Sequence, residues 1–115
     1  SGAIAETLAH VDAFTILDQL HPSAAVCGTP RPAASALISE IEAMSRGRYA
    51  GPIGWIDAAG DGELGIALRG GEIKGKSIRI FAGCGIVAES DPNVELAETQ
   101  AKFAPMHSAL EDHSL

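Results

Sequence analysis

Residues 83–92 read Gly83-Cys84-Gly85-Ile86-Val87-Ala88-Glu89-Ser90-Asp91-Pro92, and they lead directly into Glu95, Glu98 and Lys102. The pattern predicts a glycine-rich turn that follows an apolar strand and supplies backbone N–H groups at the start of a helix. On that helix the two carboxylates and the ammonium group are spaced i, i+3 and i+7, so they share one face. Backbone donors suit an anion and paired carboxylates suit a hard divalent cation. The segment therefore predicts a site for a metal-bound carboxylate or phosphate.

Three helices are predicted from apolar residues at helical spacing, together with proline or glycine at their ends. The predicted ranges are 11–20, 32–47 and about 92–112. Asp91 is expected to cap the third helix and Pro92 to be its first residue. Pro105 is expected to introduce a kink in that helix.

Between the second and third helices, the apolar period changes from helical to alternating. Apolar residues alternate on both sides of the turn segment 57–62, and again on both sides of Lys74-Gly75-Lys76. Each of these patterns predicts a β-hairpin. The predicted fold class is therefore α+β, with an antiparallel sheet of about four strands and flanking helices.

The composition indicates about one acidic domain. The 115 residues suffice for a single hydrophobic core, and 15 acidic residues against eight basic ones give a formal net charge of −7. This charge disfavours nucleic acids and anionic membranes as partners. Cys27 and Cys84 lie far apart without metal-binding spacing, and no apolar run is long enough to span a bilayer. A cytoplasmic location is expected.

Some candidate residues also have ordinary structural interpretations. Arg69 ends an apolar strand, where its planar guanidinium could pair with a carboxylate or simply face water. Tyr49 is the single tyrosine, and its hydroxyl could bind a ligand or only cap the sheet. Glu95 and Glu98 could be exposed helix residues, with Lys102 as a salt-bridge partner of Glu98. The histidines and cysteines show no catalytic spacing, so none receives a catalytic role.

Five ordered blocks resemble the C-terminal part of chorismate-binding enzymes, a group that includes anthranilate, aminodeoxychorismate, salicylate and isochorismate synthases. The blocks are Leu20–Arg31, Arg46–Trp55, Ile66–Arg69, Phe81–Pro92 and Glu95–Lys102. Ala25-Val26-Cys27-Gly28 and Glu95-Leu96 look most like isochorismate synthases of siderophore pathways. The resemblance implies that residues 1–115 are the C-terminal part of a chorismate-binding domain, and thus a fragment of the family's α/β sandwich.

Carried over residue by residue, the resemblance also implies roles around chorismate and Mg²⁺. The implied substrate-binding residues are Tyr49, Arg69, Gly83, Gly85 and Lys102. Of these, the two glycines would offer backbone N–H groups to a carboxylate. Glu98 would bind Mg²⁺ directly, and Glu95 would lie in or near the same coordination shell.

The implied activity is that of a Mg²⁺-dependent isomerase, which converts chorismate to isochorismate for siderophore or menaquinone-type biosynthesis. Family members run to several hundred residues, and their lysine general base, glutamate general acid and first pair of metal carboxylates lie outside the matched blocks. The chain alone is therefore expected to be inactive, and its uncovered apolar faces predict a homodimer or association with the missing N-terminal part. The alternatives are a non-catalytic small-anion binding module and a fragment of a salicylate or anthranilate synthase.

Overall fold

The computed structural model describes residues 12–111. The elements in chain order are α1 (Ala13–Leu20), α2 (Arg31–Glu42), β1 (Pro52–Ile56), β2 (Gly62–Ile66), β3 (Gly71–Lys74), β4 (Ser77–Ile80) and α3 (Pro92–Glu111). The α+β prediction is confirmed. The described residues form two compact units. The first consists of residues 12–45 and 51–66, and the second consists of residues 46–50 and 67–111.

The two helices of the first unit begin and end for local reasons. The N–H and hydroxyl groups of Thr15 donate to Asp12 Oδ1 at 2.9 and 3.1 Å, which caps α1 and lowers the pKa of Asp12. Helix α2 ends at Glu42 because Ala43 adopts the left-handed conformation, with φ 48°. It therefore stops before the predicted end at Gly47.

Both predicted hairpins are present, with β1 paired to β2 and β3 paired to β4, each antiparallel. In the first turn, Asp57 Oδ1 accepts the N–H groups of Ala59 and Asp61 at 2.9 and 3.0 Å. In the second, Gly75 has φ 60°, as the first position of a two-residue hairpin turn requires.

The four strands form two two-stranded sheets, rather than the single sheet expected from the sequence. Strand β2 ends at Ile66, and Arg69 then adopts the left-handed region with φ 50°. A residue in this conformation cannot continue an extended strand, so the chain turns before β3 begins at Gly71.

Helix α3 begins as predicted. Asp91 Oδ1 accepts the N–H groups of Asn93 and Val94 at 2.8 and 3.1 Å, and Pro92 is the first helical residue. The helix continues through Pro105 to Glu111. Within residues 12–111, no helix has both the length and the apolar character that a membrane crossing requires.

Few side chains are buried. Ala50 and Phe81 are the buried apolar residues of the described part, at 6% and 8% exposure, and both belong to the second unit. Large apolar side chains remain exposed on both units, among them Phe14, Ile41, Ile53 and Trp55 on the first and Ile73, Ile86, Val94 and Leu96 on the second. Each unit thus presents apolar surface to solvent.

Candidate functional site

The second unit contains every residue that the sequence nominated for ligand or metal binding. These residues are Tyr49, Arg69, Gly83, Gly85, Glu95, Glu98 and Lys102. They lie on the loop 46–50, on the segment after β2, on the loop 81–91 and on α3.

Lys102 connects helix α3 to the glycine loop. Its Nζ donates to the carbonyl oxygen of Gly83 at 2.9 Å and lies 2.8 Å from Glu98 Oε1. The salt bridge that the i, i+4 spacing allowed is therefore present, and the same ammonium group also contacts the loop. An ammonium group has three N–H donors, so these two contacts leave one N–H available.

Tyr49 approaches the same glycine. Its ring is stacked on Phe81, with centroids 5.1 Å apart and planes inclined by 9°. A Cβ atom placed on Gly83 would lie 3.0 Å from the Tyr49 hydroxyl oxygen. The structure thus places Tyr49, Lys102 and Glu98 in one group around Gly83.

Glu72 of β3 anchors the loop that carries Tyr49. Its Oε1 accepts the Arg48 N–H at 3.0 Å. The same oxygen would lie 2.8 Å from a Cβ atom on Gly47, whose φ of 57° also favours glycine. Sequence reasoning did not identify Glu72, because 24 residues separate it from Arg48 and no local pattern links the two.

Cys84 provides a second contact between the glycine loop and α3. The Thr99 hydroxyl donates to Cys84 Sγ at 3.4 Å, and the Cys84 thiol donates to the carbonyl oxygen of Glu95 at 3.5 Å. These residues line an open cleft of about 350 Å³ together with Ile86, Ser90, Pro92 and Leu96. Sequence reasoning assigned no role to Cys84 or Thr99, although their positions on the loop and helix were predicted.

Gly85 and Arg69 are less closely tied to the cluster. Gly85 is exposed on the glycine loop, and within residues 12–111 a Cβ placed there would meet no atom within 4 Å apart from those of its two chain neighbours. Arg69 is exposed and precedes Gly70, whose carbonyl accepts the Phe81 N–H at 3.1 Å. Within residues 12–111, no side-chain hydrogen bond or ion pair joins Arg69 to the cluster. Its approach to the substrate stays a prediction.

The carboxylates of α3 fit Mg²⁺ only as part of a coordination shell. Glu95 and Glu98 are one helical turn apart, half-buried and exposed respectively. The described part of the chain contains no group of three or more histidine, cysteine or carboxylate side chains placed to hold a metal ion. In proteins Mg²⁺ commonly takes one or two carboxylates together with water and ligand oxygens. These two glutamates suit that role only when further oxygen ligands are present.

Gly83→Ala is expected to displace the Tyr49 ring and to lower the free energy of unfolding by about 1 kcal/mol, because the new Cβ crowds the hydroxyl at 3.0 Å. Gly85→Ala is the matched control, since its Cβ meets open space. Tyrosine ring NMR signals and urea unfolding measure both effects. In a Tyr49→Phe background, which lacks the crowded hydroxyl, Gly83→Ala should lower the free energy of unfolding by a smaller amount. Equal displacement of Tyr49 by the two alanines would contradict the described contact.

Comparison with known proteins gives matches to one family of enzymes. Residues 3–111 match the family model described as chorismate binding enzyme. The chain is 53% identical over 97 residues to isochorismate synthase MenF of Bacillus subtilis, covering 84% of this chain and 21% of that protein. It is 46% identical over 100 residues to isochorismate synthase DhbC of the same organism, covering 87% of this chain and 25% of that protein.

A solved structure is also similar. The crystal structure of a protein described as a 2,3-dihydroxybenzoate-specific isochorismate synthase, DhbC of Bacillus anthracis, matches with a TM-score of 0.80 and 44% identity. The match covers 86% of this chain and 26% of that one. The chain therefore spans about a quarter of the length of the curated relatives that it matches. Because the family match extends over nearly all of its residues, the chain belongs to the family of chorismate-binding enzymes.

Proposed function

We propose that this chain forms part of an isochorismate synthase, an isomerase that converts chorismate to isochorismate by moving a hydroxyl group from C4 to C2. The relatives named above are isochorismate synthases, and the matched region makes up 21% and 25% of their lengths. The activity is therefore inferred for a longer protein that includes these residues.

The convergence of helix α3 and the loop 46–50 on Gly83 carries the proposal. Lys102 donates to the carbonyl of Gly83 from α3, and the Tyr49 hydroxyl lies against the same residue from the loop 46–50. Both side chains can donate hydrogen bonds, and the adjacent glycine backbone adds N–H donors. Chorismate carries two carboxylates, which are the groups that such donors bind.

In this site the glycine backbone would bind one substrate carboxylate. Gly83 and Gly85 would donate their N–H groups, while Lys102 would supply positive charge beside them. Tyr49 would orient the substrate through its hydroxyl. Arg69 would pair with the second carboxylate or the side chain, since its planar fork suits a carboxylate.

Glu98 would contribute to binding Mg²⁺, with Glu95 in or near the same shell. When bound, the ion would neutralise negative charge on the substrate carboxylate and polarise the oxygen atoms that contact it. Support for this comes from Lys102, whose ammonium group contacts both Glu98 Oε1 at 2.8 Å and the Gly83 carbonyl at 2.9 Å and so links the carboxylate to the glycine loop.

Turnover requires groups from beyond this chain. The resemblance assigns the general base, the general acid and the first pair of metal carboxylates to segments outside the matched blocks. A general base must lie within hydrogen-bond reach of the proton that it removes. We therefore propose that the 115-residue chain does not convert chorismate by itself.

The exposed apolar surfaces point to association. Phe14, Ile41 and Ile73 are each more than 70% exposed, and apolar side chains remain open to solvent on both units. Exposed apolar surface of this extent favours burial against a partner. The partner would be a second copy of the chain or the N-terminal part of a longer protein. Light scattering of the isolated chain should show a dimer or larger species, and a strictly monomeric chain would argue against this.

A role in siderophore biosynthesis belongs to the same proposal, with menaquinone-type biosynthesis as the alternative. The similarity of residues 25–28 and 95–96 to siderophore-pathway synthases supports the first of these. The cytoplasmic location expected from the spacing of the two cysteines is part of the proposal as well.

A hybrid synthase tests the function. In it, this chain replaces the segment of Bacillus subtilis MenF that it matches. The isolated chain should release no isochorismate, whereas the hybrid should convert chorismate to isochorismate in a Mg²⁺-dependent reaction. Unmodified MenF, purified and assayed in parallel, is the control.

The hybrid also separates the alternatives. A folded hybrid that binds chorismate without converting it would favour a small-anion binding module. Release of salicylate or anthranilate would assign the chain to another chorismate enzyme. Turnover by the isolated chain would contradict the proposed need for further segments.

A further inference from the structure

Four side chains of the second unit form a continuous stack. The Tyr49 and Phe81 rings are nearly parallel, with centroids 5.1 Å apart. The guanidinium carbon of Arg46 lies over the Tyr49 ring at 5.6 Å from its centroid, and that of Arg79 lies over Phe81 at 5.2 Å. The facing rings leave no room for a guanidinium group between them. The order of the stack is therefore Arg46, Tyr49, Phe81 and Arg79.

Phe81 is the fixed member of this stack. It is only 8% exposed, and its N–H donates to the carbonyl of Gly70, which holds its backbone beside the start of β3. Tyr49 lies on a loop without regular secondary structure, and Glu72 anchors the backbone of that loop at Arg48. The Glu72 contact restrains the main chain, whereas the orientation of the Tyr49 ring depends on the stack.

The orientation of the Tyr49 ring determines where its hydroxyl lies. That oxygen lies against Gly83, two residues beyond Phe81 in the same segment. A change in the stacking of Tyr49 on Phe81 would therefore move the hydroxyl relative to the glycine backbone. Stacked aromatic pairs contribute about 0.5–1.5 kcal/mol beyond the burial of their surface, and cation–π contacts add to that.

We propose that Phe81 is a positioning residue, which acts with Arg46 and Arg79 to fix the Tyr49 hydroxyl against the Gly83 backbone. Its relevance to chorismate rests on the proposed function. The effect of Phe81 on Tyr49 does not depend on the proposed function, because only side chains of this protein form the stack. The two parts are therefore tested by separate measurements.

The first measurement uses NMR of the free chain. Tyr49 is the only tyrosine, so selective labelling of tyrosine gives a single set of ring signals. Phe81→Leu should shift the Tyr49 ring signals toward those of an unstacked tyrosine and should also shift the Gly83 amide. Phe81→Tyr retains a stacked ring and should leave the Gly83 amide near its original position.

Phe103→Leu is the matched control. Phe103 is a half-buried phenyl group of the same unit, and its ring lies near His107 at 6.1 Å. The same substitution there should leave the Tyr49 and Gly83 signals unchanged. If Phe81→Leu does not fold, Arg46→Lys keeps the positive charge but removes the planar stacking group, and it should shift the Tyr49 signals in the same direction.

The second measurement is steady-state kinetics of the hybrid synthase. Phe81→Leu should raise KM for chorismate about three- to tenfold, with a smaller change in kcat, and Phe81→Tyr should restore most of the loss. Unchanged Tyr49 and Gly83 signals in a folded Phe81→Leu variant would overturn the inference. An equal rise in KM for Phe81→Leu and Phe81→Tyr would also overturn it. An inactive unmodified hybrid would count against the proposed function, while the NMR measurement would still decide the role of Phe81.

Discussion

Glu98→Gln in the hybrid synthase is expected to lower kcat/KM for chorismate about 100-fold or more, and to raise the Mg²⁺ concentration that gives half-maximal activity. A neutral amide is a weaker ligand for a hard divalent cation than a carboxylate. The substitution also removes the ion pair with Lys102 at 2.8 Å. Because Glu98 is half exposed, the loss of this ion pair should change the free energy of unfolding little. Initial rates measured across a Mg²⁺ series give both quantities.

Glu111→Gln makes the same chemical change at the other end of α3 and serves as the control. It should leave the rate and the Mg²⁺ requirement within about twofold of the unmodified hybrid, as expected for an exposed surface residue. If Glu98→Gln lowered the rate without altering the Mg²⁺ requirement, Glu98 would not be a metal ligand.

Lys102→Met should have the second largest effect, with a loss of about 10- to 100-fold in kcat/KM. Its ammonium group contacts both the Gly83 carbonyl and Glu98, and it is mostly shielded from solvent, with 23% of the side chain exposed. Hydrogen bonds from charged groups contribute about 1.5–3 kcal/mol, which corresponds to this range. The variant removes these contacts and the positive charge beside the substrate carboxylate.

Lys76→Met removes a lysine from the turn between β3 and β4, and it is the control for the loss of positive charge. Kinetics of the hybrid and the Gly83 amide signal of the free chain report on Lys102→Met. Similar behaviour of the two variants would show that Lys102 acts only through overall charge, and the proposed contact role would then be wrong.

The features that were predicted correctly from the sequence depend on residues that are close together along the chain. Asp91 caps α3 through N–H groups two and three residues away. Glu98 and Lys102 pair because residues four apart on a helix are neighbours. The hairpin around Gly75 follows from a two-residue turn with a glycine at positive φ. The glycine loop and acidic helix of the site belong to this class.

Other features depend on contacts between distant residues. Glu72 binds the backbone of Arg48 across 24 positions, and the Thr99 hydroxyl contacts Cys84 across 15. The stacking of Tyr49 on Phe81 has the same origin. No periodicity or spacing specifies these pairs, because packing of separate segments determines which side chains meet. The supporting residues of the site could therefore not be identified from the sequence.

The pairing of the strands could be predicted from the sequence only in part. Alternating apolar residues predicted four strands correctly, but the pattern could not show how two hairpins would pair. The left-handed conformation of Arg69, φ 50°, separates β2 from β3. Arginine has no special preference for this region, so its identity did not predict the break, although the following Gly70-Gly71 permits one.

A crystal structure of the hybrid synthase with Mg²⁺ and isochorismate tests the proposed site most directly. A product carboxylate should lie about 3 Å from the backbone nitrogens of Gly83 and Gly85, with Glu98 bound to the metal ion. Product bound away from the glycine loop, with Glu98 and Arg69 directed to different sides of the protein, would contradict the proposal that this chain supplies half of a metal-assisted chorismate site.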